Sequence, residues 1–114
     1  MKENRISRQE YVRRVLDAYR KTPGTSGYIR SADRRLAGQL YDQQVPLSAV
    51  ENAFVLAAAR RLLRPENAPP LGLVRSLHYF RAVIDELLSL KVSQDYFCYL
   101  RGKIEKFMNM RGKQ

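Results

Sequence analysis

A chain of 114 residues with 45% hydrophobic and 28% charged residues suits one globular domain and excludes a disordered chain. The longest apolar run, residues 53–59, is far below the ~20 residues of a membrane span. Lys and Arg number 21 against 11 Asp and Glu, a net charge of +10, and the one cysteine, Cys98, excludes an internal disulfide.

The opening Met1-Lys2-Glu3-Asn4-Arg5 is charged and leads into an amphipathic segment, unlike a secretory leader. These features together predict a cytoplasmic protein. Fifteen of the cations are Arg and six are Lys. Arginine presents a planar fork to phosphate and stacks on rings, so this bias fits a polyanion such as nucleic acid. The excess is +4 over residues 1–57 and +6 over residues 58–114, so the folded body itself is basic.

The first predicted helix covers residues 8–21. Ser7 and Glu10 have capping-box spacing, and Ile6 is placed to staple onto Tyr11. Tyr11, Val12, Val15, Leu16 and Tyr19 recur at helical period, with Arg13, Arg14, Asp17, Arg20 and Lys21 opposite. Thr22-Pro23-Gly24-Thr25-Ser26-Gly27 ends this helix. The second helix is predicted after Ser31 as N-cap and reaches about Gln43, with Leu36, Ala37 and Leu40 inward and Arg34, Arg35 and Asp42 outward.

The third helix is predicted from Ser48, with capping-box spacing to Glu51, to about Leu63. It is apolar nearly all round, which marks a buried central helix, and Arg64-Pro65 stops it. A short rigid loop through Pro69-Pro70-Leu71-Gly72 leads to a fourth helix over residues 73–90. Its stripe is Leu73, Leu77, Phe80, Val83, Ile84, Leu87 and Leu88. The fifth follows Ser93 to about Met108, with Tyr96, Phe97, Leu100, Ile104, Phe107 and Met108 inward. Residues 1–6 and 109–114 are expected to fray. The fold expected is a single all-α domain, a compact bundle of about five helices.

Enzyme chemistry is poorly represented. His78 is the only histidine, no His, Cys or carboxylate spacing suits a metal, and no phosphate-loop pattern follows a strand. No metal, no cofactor and no catalytic residue are therefore expected. Asp85-Glu86 diverge by about 100° on a helix, and Cys98 has no histidine near it in sequence. The second and third helices imitate a helix-turn-helix. The third, however, offers only Ser48, Glu51 and Asn52 as polar groups at its start, where a recognition helix needs a polar face.

The basic faces are the stronger candidates. Arg13, Arg20 and Lys21 share one side of the first helix. The candidate phosphate contacts are Arg30 beside the Thr22–Gly27 loop, Arg34 and Arg35, and the cluster Arg60, Arg61 and Arg64. Cations at a helix C-terminus also favour the helix dipole, by ~0.3–1 kcal/mol each. Arg75 with Tyr79, next to His78, and Tyr99 with Lys103 and Lys106 pair a ring with a cation, as stacking on unpaired bases requires. Bordering the core would equally explain both tyrosines.

Residues 11–88 resemble the helical DnaD-type C-terminal domain of bacterial and phage replication proteins. The resemblance runs through Val15-Leu16…Tyr19, the loop at 22–28, Asp33…Leu36…Leu40, Val45-Pro46-Leu47-Ser48, Ala53…Ala57-Ala58 and Tyr79-Phe80…Val83-Ile84…Leu87. Leu87 or Leu88 stands where that family commonly has Trp. The resemblance implies DNA binding, favours DNA over RNA, implies replication partners and places Tyr79 on the contact-bearing helix. The expectation is a non-enzymatic nucleic-acid-binding domain of a bacterial replication or mobile-element system, acting through phosphate contacts. The alternative is a helical adaptor or small subunit of a larger nucleoprotein complex, binding mainly protein.

Overall fold

The computed structural model describes residues 6–90 and 94–112. Helix α1 (Arg8–Lys21) begins where the Ser7 hydroxyl accepts the Glu10 N–H at 3.1 Å. The Glu10 carboxylate turns along the helix to Arg13 and Arg14. Tyr11, Val15, Leu16 and Tyr19 are buried as one stripe, and Ile6 packs at its edge. The Thr22 hydroxyl donates back to the Ala18 carbonyl and closes the helix.

Helix α2 (Ser31–Asp42) starts one residue before its predicted first turn. Arg30 rather than Ser31 occupies the N-cap, because the Asp33 carboxylate accepts the Arg30 N–H at 2.9 Å. Helix α3 (Leu47–Leu62) likewise begins early, with Pro46 at the cap and Ser48 inside the first turn. It is the best-buried helix: Val50, Asn52, Ala53, Phe54, Ala57, Ala58 and Ala59 are all enclosed. Its small residues let neighbours approach closely, and α1 packs on it directly.

The expected fourth helix is shorter than its hydrophobic period. Residues 71–76 are extended, Leu77–Phe80 form one 3-10 turn, and α4 covers only Arg81–Ser89. The cause is a backbone tie across the molecule. The Val74 N–H donates to Gly24 O and the Val74 carbonyl accepts from Ser26 N–H, each at 2.8 Å, as an isolated parallel bridge. A residue held at both backbone groups cannot also serve a helix. Leu73, expected inward, is 57% exposed, and Leu88 is exposed as well. The connection out of α3 is therefore long rather than short, turning at residues 63–68 before it runs past Val74.

Helix α5 (Gln94–Gly112) continues past the expected end at Met108. Its predicted start at Ser93 and the expected frayed residues 1–5 and 113–114 lie outside the described residues. Phe97 and Leu100 are buried, and Ile104 and Phe107 are half-buried. Tyr96 and Met108, expected inward, are exposed. The helix packs against α3, with Phe97 and Leu100 in the core and Ile104 packed against it.

Among the described residues the fold is all-α, a compact globule of five α-helices with no strand. The Phe54 and Phe80 rings meet edge-on at 4.8 Å, and Tyr19 meets Phe80 at 6.0 Å. This cluster joins α1, α3 and the 3-10 turn. Among the described residues, no helix is long and apolar enough to cross a membrane.

Candidate nucleic-acid interface

Two ties assemble one end of the bundle from distant segments. One is the bridge between Thr25 and Val74. The other is Asp33, whose side chain is fully enclosed. Its Oδ1 accepts the Leu77 N–H at 2.9 Å and faces the Ser76 hydroxyl at 3.5 Å, while its Oδ2 holds Arg30 N–H. A buried carboxylate must have its lone pairs occupied, and these donors do so. They fix the start of α2 against residues 76–77.

The Thr22–Gly27 loop is part of this joint and not an open phosphate cradle. The Thr25 hydroxyl lies within bonding distance of the Tyr19 and Thr22 carbonyls, and the Ser26 amide is spent on Val74. Gly24 and Gly27 adopt φ of 92° and 85°, the left-handed turns that bring the chain from α1 to α2. The loop delivers Tyr28, 76% exposed, immediately before Ile29 and Arg30.

Arg30, Arg34, Arg35 and Arg75 are all exposed, and none has a carboxylate partner among the described residues. Arg30 and Arg34 are one turn apart on α2. Arg75 follows the bridge residue Val74, beside the chain that carries Tyr28. A groove of about 860 Å³ between α1 and α2 opens here, lined by Arg8, Arg13, Arg20 and Arg34 around Leu16 and Ile29. Glu10 and Asp17 line it too, and they neutralise Arg13 and partly Arg20. Arg8 is paired with Asp42 across the helices. Among the described residues, Arg34 is the cation of this groove that has no carboxylate partner. Hydrogen bonds from Arg13 and Arg14 hold the Glu10 carboxyl down to about 2.

The arginines at the end of α3 are arranged differently. Arg60 makes a two-point pair with Glu86 of α4, one arm at 3.0 Å, and that hydrogen bonding holds the Glu86 carboxyl below its usual range. Arg61 donates to the Gly72 carbonyl and, at 3.2 Å, to the Tyr79 hydroxyl, with its guanidinium 5.6 Å from the Tyr79 ring centre. Arg64 has no carboxylate partner among the described residues. Arg75 and Tyr79 are not one helical turn apart, because Arg75 stands in the extended segment. Arg61 takes the place beside the ring, and Tyr79 remains 49% exposed.

On α5, the Lys103 ammonium lies 5.7 Å from the Tyr99 ring centre, one turn away on the exposed side. The other polar candidates are occupied or isolated. His78 is exposed with its Nδ1 3.3 Å from the Ser76 hydroxyl, Asp85 pairs with Arg81, and Cys98 is exposed. At the start of α3, Asn52 is buried, Glu51 half-buried and Ser48 exposed. Among the described residues, no group of three His, Cys or carboxylate side chains could hold a metal ion.

Sequence reasoning missed two residues here. Asp33 gave no signal beyond its place three residues after the cap. Tyr28 sits in a loop, where periodicity says nothing about exposure. No model of a known protein family, no curated protein and no solved structure matches the chain.

Proposed function

We propose that the protein is a non-enzymatic nucleic-acid-binding domain that holds the phosphate backbone at the joint of α1, α2 and residues 74–78. The observation that carries this reading is that Arg30, Arg34, Arg35 and Arg75, four exposed guanidiniums without carboxylate partners among the described residues, stand on or next to the segments that Asp33 and Val74 tie together, as does the exposed Tyr28. Unpaired guanidiniums release counterions from a polyanion on contact, which drives binding without base readout. Arg64 and Lys103 extend the basic surface. Arg60 and Arg61 are engaged by Glu86 and by Tyr79 and Gly72. The resemblance to the DnaD-type domain favours DNA over RNA and a role in bacterial or mobile-element replication.

The test is titration of the protein with single-stranded DNA, duplex DNA and RNA, each at two salt concentrations. The expected result is affinity that falls steeply with salt. A protein without salt-dependent affinity for any of the three overturns the reading and leaves the adaptor, binding an acidic protein surface, in its place.

A further inference from the structure

Tyr96, Tyr99, Lys103 and Lys106 follow one another on α5 at intervals of three, four and three residues. That spacing aligns them as one stripe along a helix. All four are exposed. The stripe lies one residue out of step with Phe97, Leu100, Ile104 and Phe107, the row that meets α3, so it borders the packed face without entering it. The two rings are 6.5 Å apart and only 30° from parallel, and Lys103 sits against the second. Asp95 borders the stripe at its start, and Glu105 lines a separate groove with Arg101 and Ile104. Asp95 stands four residues before Tyr99 on the same side of the helix, so the stripe starts at a carboxylate and ends on Lys103 and Lys106.

We infer that this stripe is a stacking platform for unpaired bases, so that the protein prefers single-stranded nucleic acid over duplex. The inference rests on the nucleic-acid reading above and adds a second site to it. Two features argue for this occupant. Lys103 and Lys106 make the C-terminal part of the stripe positive, which a phosphate chain complements. The rings are about half-exposed and 30° from parallel, and unpaired bases can present a π-face to each while duplex bases cannot. From Tyr96 to Tyr99 and on to Lys106 the helix rises about 15 Å, room for about four bases at a ~3.4 Å spacing. Tyr79 is less suited to the task, since Arg61 already holds its hydroxyl.

The experiment measures fluorescence anisotropy of a labelled single strand and of the duplex formed from it, with the intact protein and three variants. Wild type is expected to bind the single strand more tightly. Tyr99→Leu keeps an apolar side chain on the helix but removes the ring, and should weaken single-strand binding about ten-fold with an unchanged salt slope and unchanged duplex affinity. Tyr99→Phe should bind as wild type. The triple variant Arg30→Gln/Arg34→Gln/Arg75→Gln should weaken both ligands and flatten the salt dependence. If Tyr99→Leu binds the single strand like wild type, or if wild type does not prefer it, the platform is refuted while the phosphate reading survives through the triple variant. If wild type binds neither ligand, both readings fall. Thermal melting monitored by circular dichroism checks that each variant is folded.

Discussion

The buried carboxylate of Asp33 accepts the backbone N–H of Leu77 at 2.9 Å, joining residues that are 44 positions apart. The same side chain caps α2 through Arg30 N–H. One acidic residue in a strongly basic chain thus sets both the start of α2 and the place where the 3-10 turn begins.

Removing that side chain leaves two backbone amides without their acceptor. Each orphaned group costs about 1–3 kcal/mol. Asp33→Ala is therefore expected to lose about 2–4 kcal/mol in urea denaturation, and Asp33→Asn less, since it retains one carbonyl oxygen. An Asp33→Ala protein as stable as wild type would show that water replaces the carboxylate and that the joint does not depend on it.

The ring cluster predicts a second stability effect. Phe54 and Phe80 are buried against each other and against Tyr19. Replacing either by Ala should cost about 3–5 kcal/mol, enough to unfold a domain of ordinary stability. An unshifted melting curve for Phe54→Ala would contradict the packing of α3 on the 3-10 turn.

Salt dependence separates the arginines by their partners. Arg34→Gln and Arg75→Gln should each reduce the magnitude of the salt slope for nucleic-acid binding by about 0.7–0.9. Arg60→Gln should leave that slope nearly alone and instead loosen α3 from α4, since it breaks the pair with Glu86. Equal slopes for all three variants would mean that the pairing seen here does not withhold Arg60 from phosphate.

The carboxylates predict a pH response. Arg13 and Arg14 lower the Glu10 group from an ordinary value of 4.5 to about 2. A folded-state value below the unfolded one stabilises the protein above pH 4.5, and that contribution disappears as pH falls toward about 2. Wild type should therefore melt above Glu10→Gln at neutral pH, with the gap closing between pH 4.5 and 2. A gap independent of pH would assign the effect of Glu10 to something other than its charge.

Local signals made α1 legible in the sequence almost to the residue, because Ser7, the Tyr11–Tyr19 stripe and Thr22-Pro23-Gly24 all act within a few positions. The buried character of α3 was equally plain from its unbroken apolar run. Residues 73–76 were misread because Leu73, Leu77, Phe80 and Ile84 keep helical spacing whatever the backbone does, while the partners that hold Val74 extended are Gly24 and Ser26. The same distance hid the candidate site. Arg61 and Tyr79 meet through the fold, and an aspartate at position 33 looks identical in sequence whether it faces water or two amides.

The bridge between Thr25 and Val74 also bears on when the surface comes into being. All of α2 and α3 must be laid down before the two residues can meet, and closing so long a span carries an entropic cost that helix formation does not. Helices can therefore gather early while Arg75 is still far from Tyr28 and Arg30. The arginine surface is a late product of folding, and a nascent chain ending before residue 74 is helical material without a phosphate-gripping edge.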